Sequence, residues 1–428
     1  MPIKILLAAM LATTALPAAT AGAEIIAIKA GRVITDASQP ARGPSTILVE
    51  NGRITAINDA AVPIPAGATI VDQSTMTVLP GLIDAHVHLT SEPGTPLIDE
   101  VTTSDERSVA TGLVNARKTA AAGFTTVRDL GSATLAGFAV RDAIDAGQFP
   151  GPRVLASGPA ISITGGHGDF SGFRPEVNRA MNMGNTCAGP DQCSQRVREA
   201  SQRGADVIKI TATGGVLSQQ GRGLGQHFTD SEMRAIVDTA RILGLKVAAH
   251  AHGARGIEAA ASAGVDSIEH GTFADAAAIK VMVAKRTWYV PTLMAMVGIN
   301  ERLGKNIFTP VVEAKVRETL ALRGKALAAA VKAGVRIAFG TDSGVYAHGR
   351  NGEEAAEMVR YGGMTPRAVL VSATTGAAEL LGIEGETGTL AAGKSADLIA
   401  VDGDPLADAA ALTKVRYVMV RGKPVPLG

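Results

Sequence analysis

The chain has 428 residues, of which 46% are hydrophobic and 19% are charged, and its 41 lysines and arginines balance 40 aspartates and glutamates. This balance gives no electrostatic basis for binding nucleic acid or an anionic membrane, and the apolar fraction excludes a disordered chain. The length fits one large domain, or a large domain with a small one. With 49 glycines and only 3% aromatic residues, an α/β protein is favoured over a β-sandwich with an aromatic core.

Residues 1–23 have the pattern of an export signal. Lys4 supplies a short basic region, and the apolar run at 5–16 is too short to span a bilayer. Small-residue cleavage motifs follow at 19–21 and 21–23. Because no later stretch reaches 18 apolar residues without charges, we expect a soluble protein that is periplasmic or secreted. A buried N-terminal helix is the alternative.

The two cysteines, Cys187 and Cys193, are six positions apart and flank Gly189 and Pro190. In an oxidising compartment this spacing predicts a short disulfide loop. Two free thiols and a metal site are the alternatives.

Both chain ends are rich in strand patterns. At the N-terminal end, alternating residues at 45–50 and 53–57 flank Asn51-Gly52, which is typical of a β-hairpin turn. Strands are also predicted at 397–401 and 415–420. We therefore predict one small β-sandwich domain built from residues 24–78 and 385–428, which encloses the middle of the chain.

Residues 79–384 alternate short β-branched runs with alanine-rich helical stretches. The eight runs lie at 77–83, 125–129, 153–157, 206–210, 246–250, 266–270, 288–291 and 336–340. Eight such units over this length predict a (β/α)₈ TIM-like barrel. An open doubly wound sheet is the alternative, although no glycine-rich dinucleotide motif follows the first strand. The connection from 161 to about 195 shows no clear strand, and we expect it to form a lid over the barrel mouth.

Six of the eight histidines lie close to the ends of predicted strands, at positions 86, 88, 167, 250, 252 and 270. The carboxyl ends of barrel strands meet at one mouth, where active sites are found. His86 and His88 share one face of a strand, so both imidazoles can reach one ion. The pattern therefore predicts a metal site at the barrel mouth. His227 and His348 are expected not to be ligands.

Two further residues are candidates for this site. Lys209 interrupts an apolar strand, which is costly unless the amine has a use. A deprotonated lysine can add carbon dioxide and become a carbamate that bridges two cations, whereas an ion pair with Asp129 or Asp206 is the alternative. Asp342 follows the last strand, where a carboxylate can ligate a metal and move a proton; a turn-stabilising aspartate is the alternative.

Together these motifs resemble the amidohydrolase superfamily. The resemblance rests on residues 79–88, on the strands that end in Lys209, His250, His270 and Asp342, and on residues 388–399. It implies two divalent metal ions, usually zinc. His86, His88 and Asp342 would hold one ion, and His250 and His270 the other. Carboxylated Lys209 would bridge them together with a hydroxide that attacks the substrate.

The resemblance also implies roles in catalysis. Asp342 would carry a proton from the hydroxide to the leaving nitrogen. His252 or His167 would donate a hydrogen bond to the tetrahedral oxyanion.

Residues 204–210, 213–218 and 249–253 narrow the resemblance to the exported prolidase-like branch. That branch contains Xaa-Pro and Xaa-Arg dipeptidases, carboxypeptidases and similar bacterial ochratoxin A amidohydrolases. It implies a small amide or dipeptide substrate with a C-terminal amino acid, such as ochratoxin A, which yields ochratoxin alpha and phenylalanine. It also implies a homo-oligomer, with an octamer as one form.

The sequence indicates the substrate-binding residues less clearly than the metal ligands. Arg222, in a glycine-flanked loop, is the candidate for binding the substrate carboxylate, with an exposed loop arginine as the alternative. Tyr289 and Tyr346 are candidates for lining the pocket. A cyclic-amide hydrolase or lactonase of the same superfamily is the alternative function. A non-catalytic relative is disfavoured because all six ligand positions are filled.

Overall fold

The computed structural model describes residues 24–218 and 223–427. The predicted signal segment at 1–23 and the loop residues 219–222 lie outside this range. Within it, no helix combines the length and the apolar character that crossing a membrane requires.

The chain begins with four strands: β1 (Ile25–Val33), β2 (Ser45–Glu50), β3 (Arg53–Asp59) and β4 (Thr69–Pro80). β2 and β3 form an antiparallel hairpin. Asn51 and Gly52 at its turn have φ angles of 52° and 77°, as a type I′ turn requires. The predicted hairpin is therefore confirmed.

The middle of the chain alternates strands and helices. Its first half contains β5 (Leu82–Val87), α1 (Leu97–Thr102), α2 (Asp105–Ala121), β6 (Phe124–Asp129), α3 (Ala136–Asp145), β7 (Arg153–Ala156), β8 (Ser162–Ile163), α4 (Pro175–Ala180), β9 (Thr186–Cys187), α5 (Pro190–Gln202) and β10 (Val207–Thr211). Its second half contains α6 (Asp230–Ile242), β11 (Lys246–Ala251), α7 (Ala254–Ala263), β12 (Ser267–His270), α8 (Ala276–Lys285), β13 (Trp288–Val290), α9 (Leu293–Asn300), α10 (Pro310–Ala321), α11 (Lys325–Lys332), α12 (Glu354–Gly362), α13 (Pro366–Val371) and α14 (Ala377–Leu381). Neighbouring barrel strands are parallel throughout.

Three strands complete the chain: β14 (Leu398–Val401), β15 (Val415–Val420) and β16 (Lys423–Pro424). They join the N-terminal strands in one seven-stranded sheet of order β16-β15-β14-β4-β1-β2-β3. This confirms that the two chain ends build one sheet unit. Its buried core includes Ile28, Ile47, Ile54 and Leu398, and is separate from the main core of the barrel.

The first predicted barrel strand, at 77–83, is wrong in its bounds. Residues up to Pro80 complete β4 in the small sheet, and the barrel strand β5 begins at Leu82 and contains His86. Gly81 lies between them, where a Cβ atom would be only 2.0 Å from Oγ1 of Thr125. The chain can pass from sheet to barrel here because glycine has no side chain.

The barrel is closed, although its eighth strand is irregular. The segment at 336–343 forms no continuous strand, but it pairs on both sides: the amide of Tyr289 donates to Arg336 (2.8 Å), and the amide of Ala85 donates to Phe339 (2.9 Å). The (β/α)₈ prediction is therefore confirmed, and the open doubly wound sheet is excluded.

The connection at 161–195 is more ordered than predicted, since it contains β8, α4, β9 and the start of α5. The structure joins Cys187 to Cys193, with Cα atoms 5.1 Å apart. Asn185 donates to the carbonyls of Ala160 (2.6 Å) and Gly168 (2.8 Å). These contacts fix the turn that carries His167 beside the barrel mouth.

Candidate metal centre

The first group of candidate ligands lies at the end of β5. Nε2 of His86 and Nε2 of His88 are 3.4 Å apart, and Oδ1 of Asp342 lies 3.5 Å from the former and 3.2 Å from the latter. The other ring nitrogens are already engaged, because Nδ1 of His86 faces Glu269 and Nδ1 of His88 faces the carbonyl of Gly131, both at 2.9 Å. The two Nε2 atoms and the carboxylate are therefore left to share one ion.

The second group consists of His250, His252 and His270, each of which offers a ring nitrogen within 4.8 Å of the others. Nδ1 of His270 contacts Oγ1 of Thr292 at 2.8 Å, and Nδ1 of His252 contacts Oγ1 of Thr272 at 2.9 Å. The sequence interpretation placed only His250 and His270 in this group. The geometry therefore adds His252 as a third candidate ligand beside its predicted role as a donor.

Lys209 lies next to the first group, with Nζ 3.3 Å from Nε2 of His86. Neither alternative ion pair is formed: Asp129 accepts from the amides of Leu89 and Gly131, and Asp206 pairs with Arg141. Among the described residues, no carboxylate lies within 4.0 Å of the Lys209 amine. Burial lowers the pKa of Lys209 to about 8, so its neutral form is accessible near neutral pH.

The electrostatics of the two groups suit divalent cations. Burial lowers the pKa of His86 and His252 to about 4 and that of His250 and His270 well below the ordinary value, so all four imidazoles are neutral and can ligate. Burial opposes ionisation of Asp342, but the imidazoles of His86 and His88 lower its pKa below the usual range. Neutral nitrogens and an ionised carboxylate are the ligand set that Zn²⁺ and similar ions use.

The backbone around the site is strained. His270, Thr292 and Asp342 have φ angles of 69°, 50° and 62°, in the left-handed region that favours glycine. The carboxylate of Glu354 accepts from the amides of Leu293 (2.8 Å) and Met294 (2.6 Å), directly after Thr292. Such conformations persist where the surroundings impose them and are concentrated at functional sites.

Sequence reasoning missed a buried charged network beneath His86. Arg128 is 1% exposed and Glu269 is fully buried. Arg128 donates to Glu269 (2.9 Å), to Ser267 (3.3 Å) and to the carbonyl of Ala85 (2.6 Å). The local sequence gives little signal for this network, because β6 and β12 contain several other polar residues, unlike the apolar strand around Lys209.

A second unpredicted group links β5 to the segment that carries Asp342. The carboxylate of Asp84 accepts from the amides of His86 and Thr341, both at 3.1 Å. It also accepts from the hydroxyl of Thr341 (2.6 Å) and from Asn351 (2.8 Å). These contacts hold the two ligand-bearing segments at a fixed spacing.

His167 also reaches the mouth. Its ring centroid is 4.3 Å from that of His250, and its Nδ1 is 2.6 Å from the hydroxyl of Ser218. His348 instead contacts the carbonyl of Ser91 at 3.1 Å through Nε2. His227 belongs to neither group of candidate ligands.

The predicted substrate-binding residues have different outcomes. Arg222 lies outside the described residues. Tyr289 and Tyr346 are buried, at 2% and 1% exposure, and the hydroxyl of Tyr289 donates to the carbonyl of His270 at 2.8 Å. Tyr289 therefore contacts the backbone of a candidate ligand, and a role of either tyrosine against substrate stays a prediction.

Comparison with known proteins gives the same result over most of the chain. The sequence model of the Amidohydrolase family matches residues 77–425. The chain is 33% identical over 416 residues to ochratoxinase of Aspergillus niger, covering 91% of this chain and 84% of that protein.

Solved structures of other proteins agree with this family assignment. A Xaa-Pro dipeptidase with bound methionine superimposes with a TM-score of 0.86 at 36% identity, over 94% of this chain and 99% of the other. The structure of A. niger ochratoxinase superimposes with a TM-score of 0.82 at 30% identity, over 94% and 95%. The chain therefore belongs to the amidohydrolase family, in the branch that includes prolidase and ochratoxinase, and is a metal-dependent amidohydrolase.

Proposed function

We propose that the protein is an exported zinc amidase that cleaves the bond between an acyl group and a C-terminal amino acid, with ochratoxin A among its substrates. The observation that best supports this proposal is that two groups of candidate metal ligands lie at one barrel mouth. Similarity to ochratoxinase over 91% of the chain supports the choice of substrate. Dipeptides are the second proposed type of substrate within the same class.

The residues present fit two Zn²⁺ ions. His86, His88 and Asp342 would hold one ion, and His250 and His270 the other. We propose that Lys209 is carboxylated and contributes to both: its neutral amine adds carbon dioxide, forms an N–C bond and releases one proton. When bound, two such cations polarise a carbonyl and lower the pKa of water.

Asp342 is the residue that we propose moves the proton. Oδ1 faces His86 and His88, whereas Oδ2 lies 4.0 Å from the ring of His270 and is not committed to the first group. An ionised carboxylate in this position can accept a proton from the attacking water and deliver it to the leaving nitrogen. Without that delivery the amine is a poor leaving group.

We assign to His252 the stabilisation of the developing oxyanion, with His167 beside it as a second donor. Donation through Nε2 requires Nδ1 to accept, and the hydroxyl of Thr272 at 2.9 Å can donate to it. His167 has the same arrangement with Ser218. A hydroxyl partner permits either ring tautomer, unlike the carboxylate that faces His86.

Export and assembly are further parts of the proposal. We propose that residues 1–23 are removed on export to the periplasm or the medium, in keeping with the cysteine pair. We also propose a homo-oligomer, which sedimentation of the purified protein would test against a monomer. We still propose, from the sequence, that Tyr289, Tyr346 and Arg222 bind substrate.

The test is a hydrolysis panel on protein purified with zinc and bicarbonate. The panel contains ochratoxin A, Xaa-Pro, Xaa-Arg and Xaa-Phe dipeptides, N-acyl amino acids, a lactone and a cyclic amide. We expect release of free amino acid and its loss in Lys209→Ala. Ring opening alone would overturn the amidase proposal and identify a cyclic-amide hydrolase or lactonase.

Measuring the metal content of variants tests whether His252 and His270 are metal ligands. His252→Asn should retain two metal ions per chain and lose turnover, whereas His270→Asn should lose one ion. Loss of a metal ion from His252→Asn would instead make His252 a ligand.

A further inference from the structure

Lys315, on helix α10, is buried although it is a lysine. It lies among the buried residues of the helix, with Val312 and Val316, and is 8% exposed. Nζ donates to the carbonyls of Gly215 (2.9 Å) and Ser218 (2.5 Å). Among the described residues, no carboxylate forms an ion pair with it, so its charge has no anionic partner in that part of the chain.

Burying such a charge is costly unless it is paired. Other buried cations in the interior have compensating partners. Arg128 faces the carboxylate of Glu269, and Lys209 belongs to the metal centre. An ammonium group has three N–H donors, and the two carbonyls engage two of them. Lys315 is therefore a fixed, partly desolvated cation, and one of its N–H donors is not engaged by the two carbonyls.

The loop that Lys315 holds packs on the candidate metal centre. A Cβ atom on Gly215 would lie 2.4 Å from the ring of His167, and the hydroxyl of Ser218 contacts Nδ1 of His167. His167 in turn packs on His250. The ammonium group is therefore joined to the barrel mouth through this loop and His167.

An apolar cluster includes neighbours of Lys315 on the same helix. Val216, Ile299, Val312 and Val316 form a separate buried cluster. Partly buried apolar residues pack against it, namely Leu217, Leu224, Leu303, Phe308, Leu320 and Val345. The partly buried residues leave apolar area near the cation. A cation with apolar area near it matches an amino acid that has a free carboxylate and an apolar side chain.

We propose that Lys315 binds the free carboxylate of the substrate's C-terminal amino acid and selects acids over the corresponding amides. This inference rests on the proposed amidase function and gives that function a substrate class, N-acyl amino acids with an apolar side chain. Gly215 and Ser218 hold the ammonium group in place before substrate arrives, so little ordering is needed on binding.

The test compares N-benzoyl-phenylalanine with N-benzoyl-phenylalaninamide in the full-length enzyme. Wild type should favour the acid in kcat/KM. Lys315→Met should raise KM for the acid about tenfold to hundredfold and leave the amide within about twofold, and Lys315→Arg should restore part of the preference. Lys305→Met is the matched control, because Lys305 is an exposed lysine that precedes the same helix.

Equal losses on the acid and the amide in Lys315→Met would show that Lys315 only holds the loop, and would overturn the inference. A second measurement needs no variant: phenylalanine should inhibit wild type at least tenfold more strongly than phenylalaninamide. If wild type hydrolyses no amide, the proposed function fails. Calorimetric titration of N-benzoyl-phenylalanine into wild type and Lys315→Met then decides the role of Lys315, and equal affinities overturn it.

Discussion

The carboxylate of Glu269 lies 2.9 Å from Nδ1 of His86, and neither side chain is exposed to solvent. A carboxylate can only accept here, so the proton of the neutral imidazole is fixed on Nδ1 and the lone pair of Nε2 faces Asp342. Arg128 keeps Glu269 ionised: burial raises the pKa of this carboxyl, but the guanidinium and the bond from His86 lower it to about 2. The pair therefore prepares His86 as a ligand before any metal binds.

Glu269→Gln should weaken metal binding about tenfold to hundredfold, as is usual when the partner of a ligating histidine is lost. It should also lower the free energy of unfolding, because Arg128 loses its anion. Competition with a chromophoric chelator measures the affinity. Glu386→Gln, at an exposed ion pair with Arg53, is the control and should leave the affinity unchanged. An unchanged affinity in Glu269→Gln would contradict the assignment.

Thr292→Ala should release metal from the second group while Thr292→Ser retains it. The hydroxyl of Thr292 is the partner of Nδ1 of His270, and serine can supply the same oxygen from the same strained backbone. Metal content per chain after dialysis, measured for both variants, gives the readout. Equal metal content in the alanine and serine variants would show that the hydroxyl does not orient His270.

The metal-free protein should become less stable as the pH falls from 6.5 towards about 4. In this window the histidines of the unfolded chain bind protons, whereas burial holds the pKa of His86 and His252 at about 4 in the folded protein. Each such histidine lowers the free energy of unfolding by about 1.4 kcal/mol per pH unit. Urea unfolding in the presence of a chelator, at several pH values across the window, measures the slope. A flat profile would mean that these imidazoles are protonated in the folded state.

Removing the disulfide with Cys187→Ser should lower the free energy of unfolding by about 2 kcal/mol, the entropy expected for a loop of this length. Turnover at low temperature should be retained, because neither cysteine contacts a candidate ligand. Thermal unfolding of wild type with and without reductant gives an independent measure. Identical melting temperatures in all three samples would contradict the prediction.

The ligands that could be predicted from the sequence have local signals. His86 and His88 share a strand face, and Lys209 interrupts an apolar run, so each is visible within a few neighbouring residues. Arg128 and Glu269 lie in strands with several other polar residues and lack such a signal. Their pairing joins positions 141 residues apart and depends on how the barrel closes. The bounds of the first barrel strand were missed for a related reason, since the pairing of Pro80 with Leu398, far along the chain, shows where the chain leaves the small sheet.

The placement of β4 in the small sheet has a consequence for how the chain is made. β4 lies between β1 and β14, and Pro80 is opposite Leu398. During synthesis one edge of β4 therefore has no partner until almost the entire chain has emerged. Until then β4 presents an open edge, which is the kind of surface that pairs with other chains. Loss of the last thirty or so residues should leave that edge open permanently and cause aggregation, even though every candidate metal ligand would still be present.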